Sequence, residues 1–127
     1  HKFESNFVSL EIPKNNSVMF GSLSGTKLGV WVAHGEGKFE FPYEEKEYNI
    51  IAKYNYDGYP ANPNGSPWSV AGVCSKDGRH LAMMPHPERA IFPWQCGYYP
   101  ADRKENDEVT PWIEAFVNAR KWIENNK

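Results

Sequence analysis

Trp68-Ser69-Val70-Ala71-Gly72-Val73-Cys74, then Ser75-Lys76-Asp77-Gly78, then Arg79-His80-Leu81-Ala82-Met83-Met84, reads as a β-hairpin. Two apolar-rich runs flank a polar turn, and Asp77-Gly78 is the dipeptide that supplies a positive φ at little steric cost. The second run passes straight into Pro85-His86-Pro87-Glu88-Arg89. Prolines on both sides of His86 forbid helix at residues 85 and 86, so whatever His86 does, it does from a stiff strand end.

Working outward from the hairpin, the chain is mostly strand and turn. Phe3 to Ile12 alternates apolar and polar residues from Phe7 onward, the pattern of a half-buried strand, and Pro13-Lys14-Asn15-Asn16-Ser17 ends it as a turn. Leu28 to Ala33 is a nearly continuous apolar run, suited to a strand covered on both faces, and it stops at His34-Gly35-Glu36-Gly37. Ile50 to Tyr56 predicts another strand, followed by a Pro-, Asn- and Gly-rich loop from Asp57 to Pro67. Residues 91–108 read as an irregular loop, aromatic first and charged later. A single helix closes the chain: Thr110 suits its N-cap and Pro111 its first position. Trp112, Ile113, Phe116, Val117, Ala119 and Ile123 form its apolar stripe, with Glu114 early and Arg120 and Lys121 late to suit the helix dipole. One helix against four or five strands leaves a sheet covered on at most one face.

The 127 residues, 40% of them hydrophobic, suffice for one domain with a buried core. With 14 Lys+Arg against 16 Asp+Glu neither sign dominates, which argues against a non-specific nucleic-acid binder. No apolar run approaches the roughly 20 residues of a membrane helix. Cys74 and Cys96 are too few for a disulfide framework and read as free thiols, which points to the cytoplasm. The chain opens His1-Lys2-Phe3-Glu4, with no initiator Met and no signal-peptide pattern, so a segment of a longer protein is expected.

Two His-x-Glu triplets stand out, His34-Gly35-Glu36 and His86-Pro87-Glu88. In the second, a carboxylate on one ring nitrogen would set the imidazole's tautomer and leave the other nitrogen to take a proton; a turn histidine beside a surface glutamate is the plainer reading. In the first, the glycines either let a ligand approach the backbone or simply make a tight turn. A metal site built from His34, Glu36, His80, His86 and Glu88 is disfavoured, because the spacing matches no helical His pair and Arg79 adjoins His80. The aromatics Tyr54, Tyr56, Tyr59, Trp68, Trp94, Tyr98 and Tyr99 could form a platform for a sugar or peptide, or could be packing. Loop 91–100 is the best candidate for a contact surface.

At His34-Gly35-Glu36-Gly37, Tyr59 to Pro67 (YPANPNGSP) and Met83 to Arg89 (MMPHPER), the chain resembles the glutaminase domain at the C-terminal end of the large, single-chain phosphoribosylformylglycinamidine synthases, from about Phe3 to Trp122. The three motifs in this order are specific together, though each alone would be weak. The resemblance implies the C-terminal portion of a class I glutamine amidotransferase, an α/β, flavodoxin-like domain. Here that portion consists mainly of mixed or antiparallel strands and hairpins plus one C-terminal helix. It implies glutamine hydrolysis supplying ammonia to a synthetase domain, which uses ATP and Mg²⁺ to make formylglycinamidine ribonucleotide in purine synthesis; this segment itself would hold no cofactor and no metal. It implies His86 as general base and then acid, Glu88 as its orienter, and His34, Gly35 and Glu36 against bound L-glutamine, mostly through backbone groups. It also implies a nucleophilic Cys in a Gly-x-Cys-x-Gly elbow, and no such elbow occurs in these residues. The chain alone is therefore expected to be inactive. Its partners would be the upstream remainder of the domain and the synthetase domain, without which it would self-associate. Two other readings stand beside this one: a non-enzymatic aromatic-rich β binding module, and a pseudo-enzyme whose elbow lacks Cys.

Overall fold

In the computed structural model of the protein, residues 3–35, 37–63 and 65–126 are described. Five strands form one sheet in the order β2-β1-β3-β4-β5, where β1 is Glu4–Glu11, β2 Lys27–His34, β3 Asn49–Tyr54, β4 Val70–Cys74 and β5 Leu81–Met83. Every pairing is antiparallel. Two helices follow, a single turn α1 at Ala101–Lys104 inside the expected irregular loop, and α2 at Ile113–Asn125.

The hairpin forms at the expected turn with shorter strands than the sequence predicts, because Trp68 and Ser69 lie in a 3₁₀ turn at φ 54° and 58° instead of in β4. Gly72 pairs with Met83, Val73 with Ala82 and Cys74 with Leu81. Gly78 sits at φ +74°, and its N–H donates to the Ser75 carbonyl at 3.0 Å. The turn also packs on the Asn15–Ser17 bend, where Val18 N–H donates to the Gly78 carbonyl at 2.9 Å. A Cβ at Gly78 would lie 2.2 Å from the Asn16 carbonyl oxygen, a clash with backbone rather than with a movable side chain. Gly78→Ala is expected to destabilise the fold by about 2–3 kcal/mol, combining left-handed strain with that clash. A change in thermal unfolding equivalent to less than about 0.5 kcal/mol would contradict this account.

Alternation in β1 puts Val8, Leu10 and Ile12 into the core, with Glu11 outside. Strand β2 follows the same rule: Val30 and Val32 are fully buried, while Gly29 and Trp31 on its other face are only half covered. The apolar run Leu28–Ala33 thus has one sealed face and one shared with aromatic neighbours. Phe7 fills that second face, edge-on to Trp31 with ring centroids 5.1 Å apart. Pairing between β3 and β4 shifts register at Ile50/Ala52 and Ala52/Lys53, and such irregularities bend a sheet. The bend brings the far end of β5 round to the other edge of the sheet. Met84 N–H donates to the Ala71 carbonyl at 3.0 Å, and His86 N–H donates to the Trp31 carbonyl at 2.8 Å, forming an antiparallel bridge to β2. The sheet is curled almost into a barrel, with its seam at His86.

Helix α2 covers one opening of this curl with its first turn. Trp112 and Ala115 are fully buried, and Trp112 Nε1–H donates to the Gly29 carbonyl at 2.8 Å. Thr110 does not cap the helix. Its hydroxyl donates to the Ala90 carbonyl at 2.5 Å and its N–H to the Ile91 carbonyl at 2.7 Å, fastening the segment after His86 instead. The expected apolar stripe is only partly used: Phe116, Val117 and Ile123 are 38%, 40% and 56% exposed. The helix is held by polar contacts to the 3₁₀ turn Gly21–Leu23 and by Arg79 over the Trp122 ring at 5.0 Å, and Phe116 faces Leu81 and Met83 across an open cleft. Among the described residues no helix is long and apolar enough to cross a membrane.

Candidate active site

The geometry centres on the end of β5. Pro85 and Pro87 are buried, and Pro87–Arg89 forms one 3₁₀ turn that places Glu88 back over His86. His86 Nδ1 lies 2.8 Å from Glu88 Oε1. Both side chains keep access to solvent, His86 half-buried and Glu88 exposed. The prolines stiffen the backbone locally, and the 3₁₀ turn sets the two side chains close enough for this contact. A carboxylate on Nδ1 keeps the proton there and leaves Nε2 to exchange protons with a reacting group.

The seam of the sheet brings in the first His-x-Glu triplet. His34 ends β2, opposite Glu4 in register and three residues beyond Trp31, whose carbonyl holds His86. Burial holds the His34 imidazole below its ordinary range. Charge on nearby His86 pushes the same way, while a hydrogen bond with its own backbone and the Glu4 carboxylate partly oppose it. A Cβ at Gly37 would lie 2.9 Å from both His34 Cγ and Met84 Sδ, so the second glycine of the motif makes a close approach. Gly35 has open space where its Cβ would be. Glu36 lies outside the described residues. His34, Gly37, Met84 and His86 are thus assembled from the ends of β2 and β5 and the residues just after them, and a cleft of about 300 Å³ walled by Phe20, Leu81, Met83 and Phe116 opens beside His86 and Glu88.

Neither cysteine is prepared as a nucleophile. Burial raises the Cys74 thiol above its ordinary range, and its Sγ is 3.0 Å from Asn49 Nδ2 at the outer end of β4. Burial likewise raises Cys96, whose Sγ is 3.7 Å from the Phe92 carbonyl. An activated thiol requires the opposite shift. Both cysteines are free, as expected. No group of three His, Cys, Asp or Glu side chains among the described residues could hold a metal ion.

The remaining singled-out residues fall elsewhere. Asn62 folds loop 57–67 on itself, its side chain pairing with both the N–H and the carbonyl of Ser66 at 3.0 Å. The aromatics do not form one platform. Tyr54 is in the core, Trp68 stacks on Phe41 at 5.2 Å, Trp94 stacks on Phe92 at 5.9 Å, and Tyr99 donates to Asp107. Sequence reasoning missed Trp31 and Gln95 as neighbours of the site: Trp31 reads as strand filler and Gln95 as one polar residue in an aromatic loop. The one available signal was a bulky indole three positions before His34.

Comparison with known proteins bears on the family and the fold. The chain is 42% identical to the probable phosphoribosylformylglycinamidine synthase, chloroplastic/mitochondrial, of Arabidopsis thaliana over 98% of its length. It is 42% identical to the phosphoribosylformylglycinamidine synthase of Homo sapiens over 95%. It spans only 10% of each of these relatives. Among solved structures it matches a chain of PurLQS from Thermotoga maritima with a TM-score of 0.71 and 24% identity, covering 96% of this chain and 49% of that one. That match shows the fold, an antiparallel curled sheet with few helices. A family model for the CobB/CobQ-like glutamine amidotransferase domain matches residues 1–123. With the His-x-Glu pair at its seam and the model spanning nearly all of it, the chain belongs to the CobB/CobQ-like glutamine amidotransferase domain family.

Proposed function

We propose that this segment supplies the proton-transfer pair of a glutamine-hydrolysing domain in a phosphoribosylformylglycinamidine synthase. The observation that carries this reading is the 2.8 Å contact between His86 Nδ1 and Glu88 Oε1 on a proline-bracketed strand end. In the reaction a cysteine thiol, outside these residues, loses its proton to His86 Nε2 and attacks the side-chain amide carbon of glutamine. His86 returns the proton to the departing nitrogen and ammonia leaves, with a glutamyl thioester behind. His86 then takes a proton from water, whose oxygen attacks the thioester. Glutamate is released and the thiol is reprotonated. Glu88 holds the imidazole's orientation and balances its charge while it is protonated. His34, Gly35 and Glu36 border the bound glutamine. The freed ammonia serves a synthetase domain that uses ATP and Mg²⁺ to convert formylglycinamide ribonucleotide to its amidine. Those groups belong to the synthetase part, and no step in this segment runs through them.

The exposed apolar residues of α2 and the outer edge of β5 are, in this reading, covered by the remainder of the domain, since the solved neighbour is about twice as long. In isolation this surface is where copies of the segment would associate. Two free thiols support a cytoplasmic location.

The test compares glutamate release from glutamine by the full-length protein and by the 127-residue chain. The full-length protein is expected to be active and the chain alone inactive, with Cys74→Ser and Cys96→Ser leaving full-length turnover unchanged. Glutamate release by the chain alone, lost on either cysteine substitution, would overturn the reading. Full-length protein that releases no glutamate would favour a pseudo-enzyme.

A further inference from the structure

We propose that Trp31 and Gln95 are positioning residues for the His86–Glu88 pair, joined in a strut that closes the loop carrying it. The inference rests on the reading of that pair as the proton-transfer group. Trp31 holds this loop at both ends. Its main-chain carbonyl accepts the His86 N–H at 2.8 Å, and its indole Nε1–H donates to the Gln95 carbonyl at 2.7 Å. Between these anchors, the Gln95 side chain gathers the rest. Its Oε1 accepts the Ile91 N–H at 3.0 Å and the Phe92 N–H at 2.9 Å, while the Gln95 N–H returns a bond to the Phe92 carbonyl at 2.9 Å.

The residue types suit the task. A half-buried indole N–H needs an acceptor and offers a rigid donor. Glutamine places one oxygen where two successive N–H groups converge ahead of Pro93, a residue with no N–H of its own. The strut is also anchored at its base. Phe7 packs edge-on against Trp31, and Cβ atoms at Gly29 and Gly97 would come within 2.5 and 2.8 Å of Phe7. The ring against which Trp31 packs is therefore closely confined. Glu88 itself is exposed and lies on a single 3₁₀ turn, so its reach to His86 depends on how firmly the turn's two flanks are held. Thr110 secures the middle through Ala90 and Ile91, and Trp31 with Gln95 secures the ends.

The experiment measures glutamate release by the full-length protein carrying Trp31→Phe, Gln95→Met or Gln95→Glu, with His86→Ala as reference and rates normalised to folded protein. Trp31→Phe keeps the ring and loses the N–H. Gln95→Met keeps the length and loses the acceptor, and Gln95→Glu keeps the acceptor. Trp31→Phe and Gln95→Met are expected to lower kcat about 10- to 100-fold, the scale of an ångström's misplacement of a catalytic group. KM for glutamine should stay within about twofold, because glutamine binding does not depend on the strut. Gln95→Glu is expected to restore most of the rate. Wild-type kcat in Trp31→Phe and Gln95→Met, with His86→Ala inactive, would overturn the strut and leave the reading of the pair intact. Equal loss in Gln95→Glu and Gln95→Met would reduce Gln95 to a packing role and also overturn it. An active His86→Ala would overturn the reading of the pair, and the strut with it.

Discussion

His86→Ala in the full-length protein is expected to lower glutamate release by roughly 10⁴- to 10⁶-fold, the range spanned by losing a general base and by disabling a nucleophile that depends on one. In the proposed reaction the imidazole acts at each stage: it takes the thiol proton, gives it to ammonia, and activates water against the thioester. The backbone position of residue 86 survives the substitution, because its N–H bond to the Trp31 carbonyl is a main-chain contact. The side chain is half-exposed and leaves no sealed cavity, so thermal unfolding should change little. Glu88→Gln is expected to cost less in kcat, since a neutral amide still meets Nδ1 but no longer balances the imidazolium. Glutamate release by His86→Ala within about tenfold of the parent would remove His86 from the mechanism.

Trp112→Ala is expected to carry the largest stability cost, about 3–5 kcal/mol. Trp112 is 1% exposed, lies against Phe20 with ring centroids 5.7 Å apart, and ties α2 to β2 through the Gly29 carbonyl. Truncation leaves a cavity between the helix and the open end of the curled sheet. Trp112→Phe keeps most of the buried ring and forfeits the hydrogen bond, so about 1–2 kcal/mol is expected. In thermal unfolding of the full-length protein, the transition of this segment should fall by roughly 10–20 °C for Ala and by a few degrees for Phe. Equal effects of the two substitutions would mean that the hydrogen bond, not the burial, joins helix to sheet. A cost below about 1 kcal/mol for Ala would show that α2 does not seal the core.

The hairpin turn and the stiff strand end at His86 were legible because their causes are local. Asp77-Gly78 encodes its turn within four residues, and the prolines around His86 restrict the backbone on the spot. Val8, Leu10 and Ile12 announced β1 by alternation alone. Thr110 was misread because the Ala90 carbonyl reaches its hydroxyl from another part of the chain and takes it from the helix cap. The stripe on α2 gave its spacing but not its cover. Periodicity marks an apolar face and says nothing about what lies opposite, and here Phe116, Val117 and Ile123 remain largely open.

The sequence by itself determined most of the strands, the Asp77-Gly78 turn and the stiff strand end at His86, since each follows from conformational preferences over a few residues. Only the tertiary structure decided that His34 and Gly37 lie beside Met84 and His86, and that one tryptophan grips both ends of the loop bearing the pair. Those contacts arise when register shifts between β3 and β4 curl the sheet until the end of β5 meets β2. Such closure depends on the summed bend of five strands, which no local window contains.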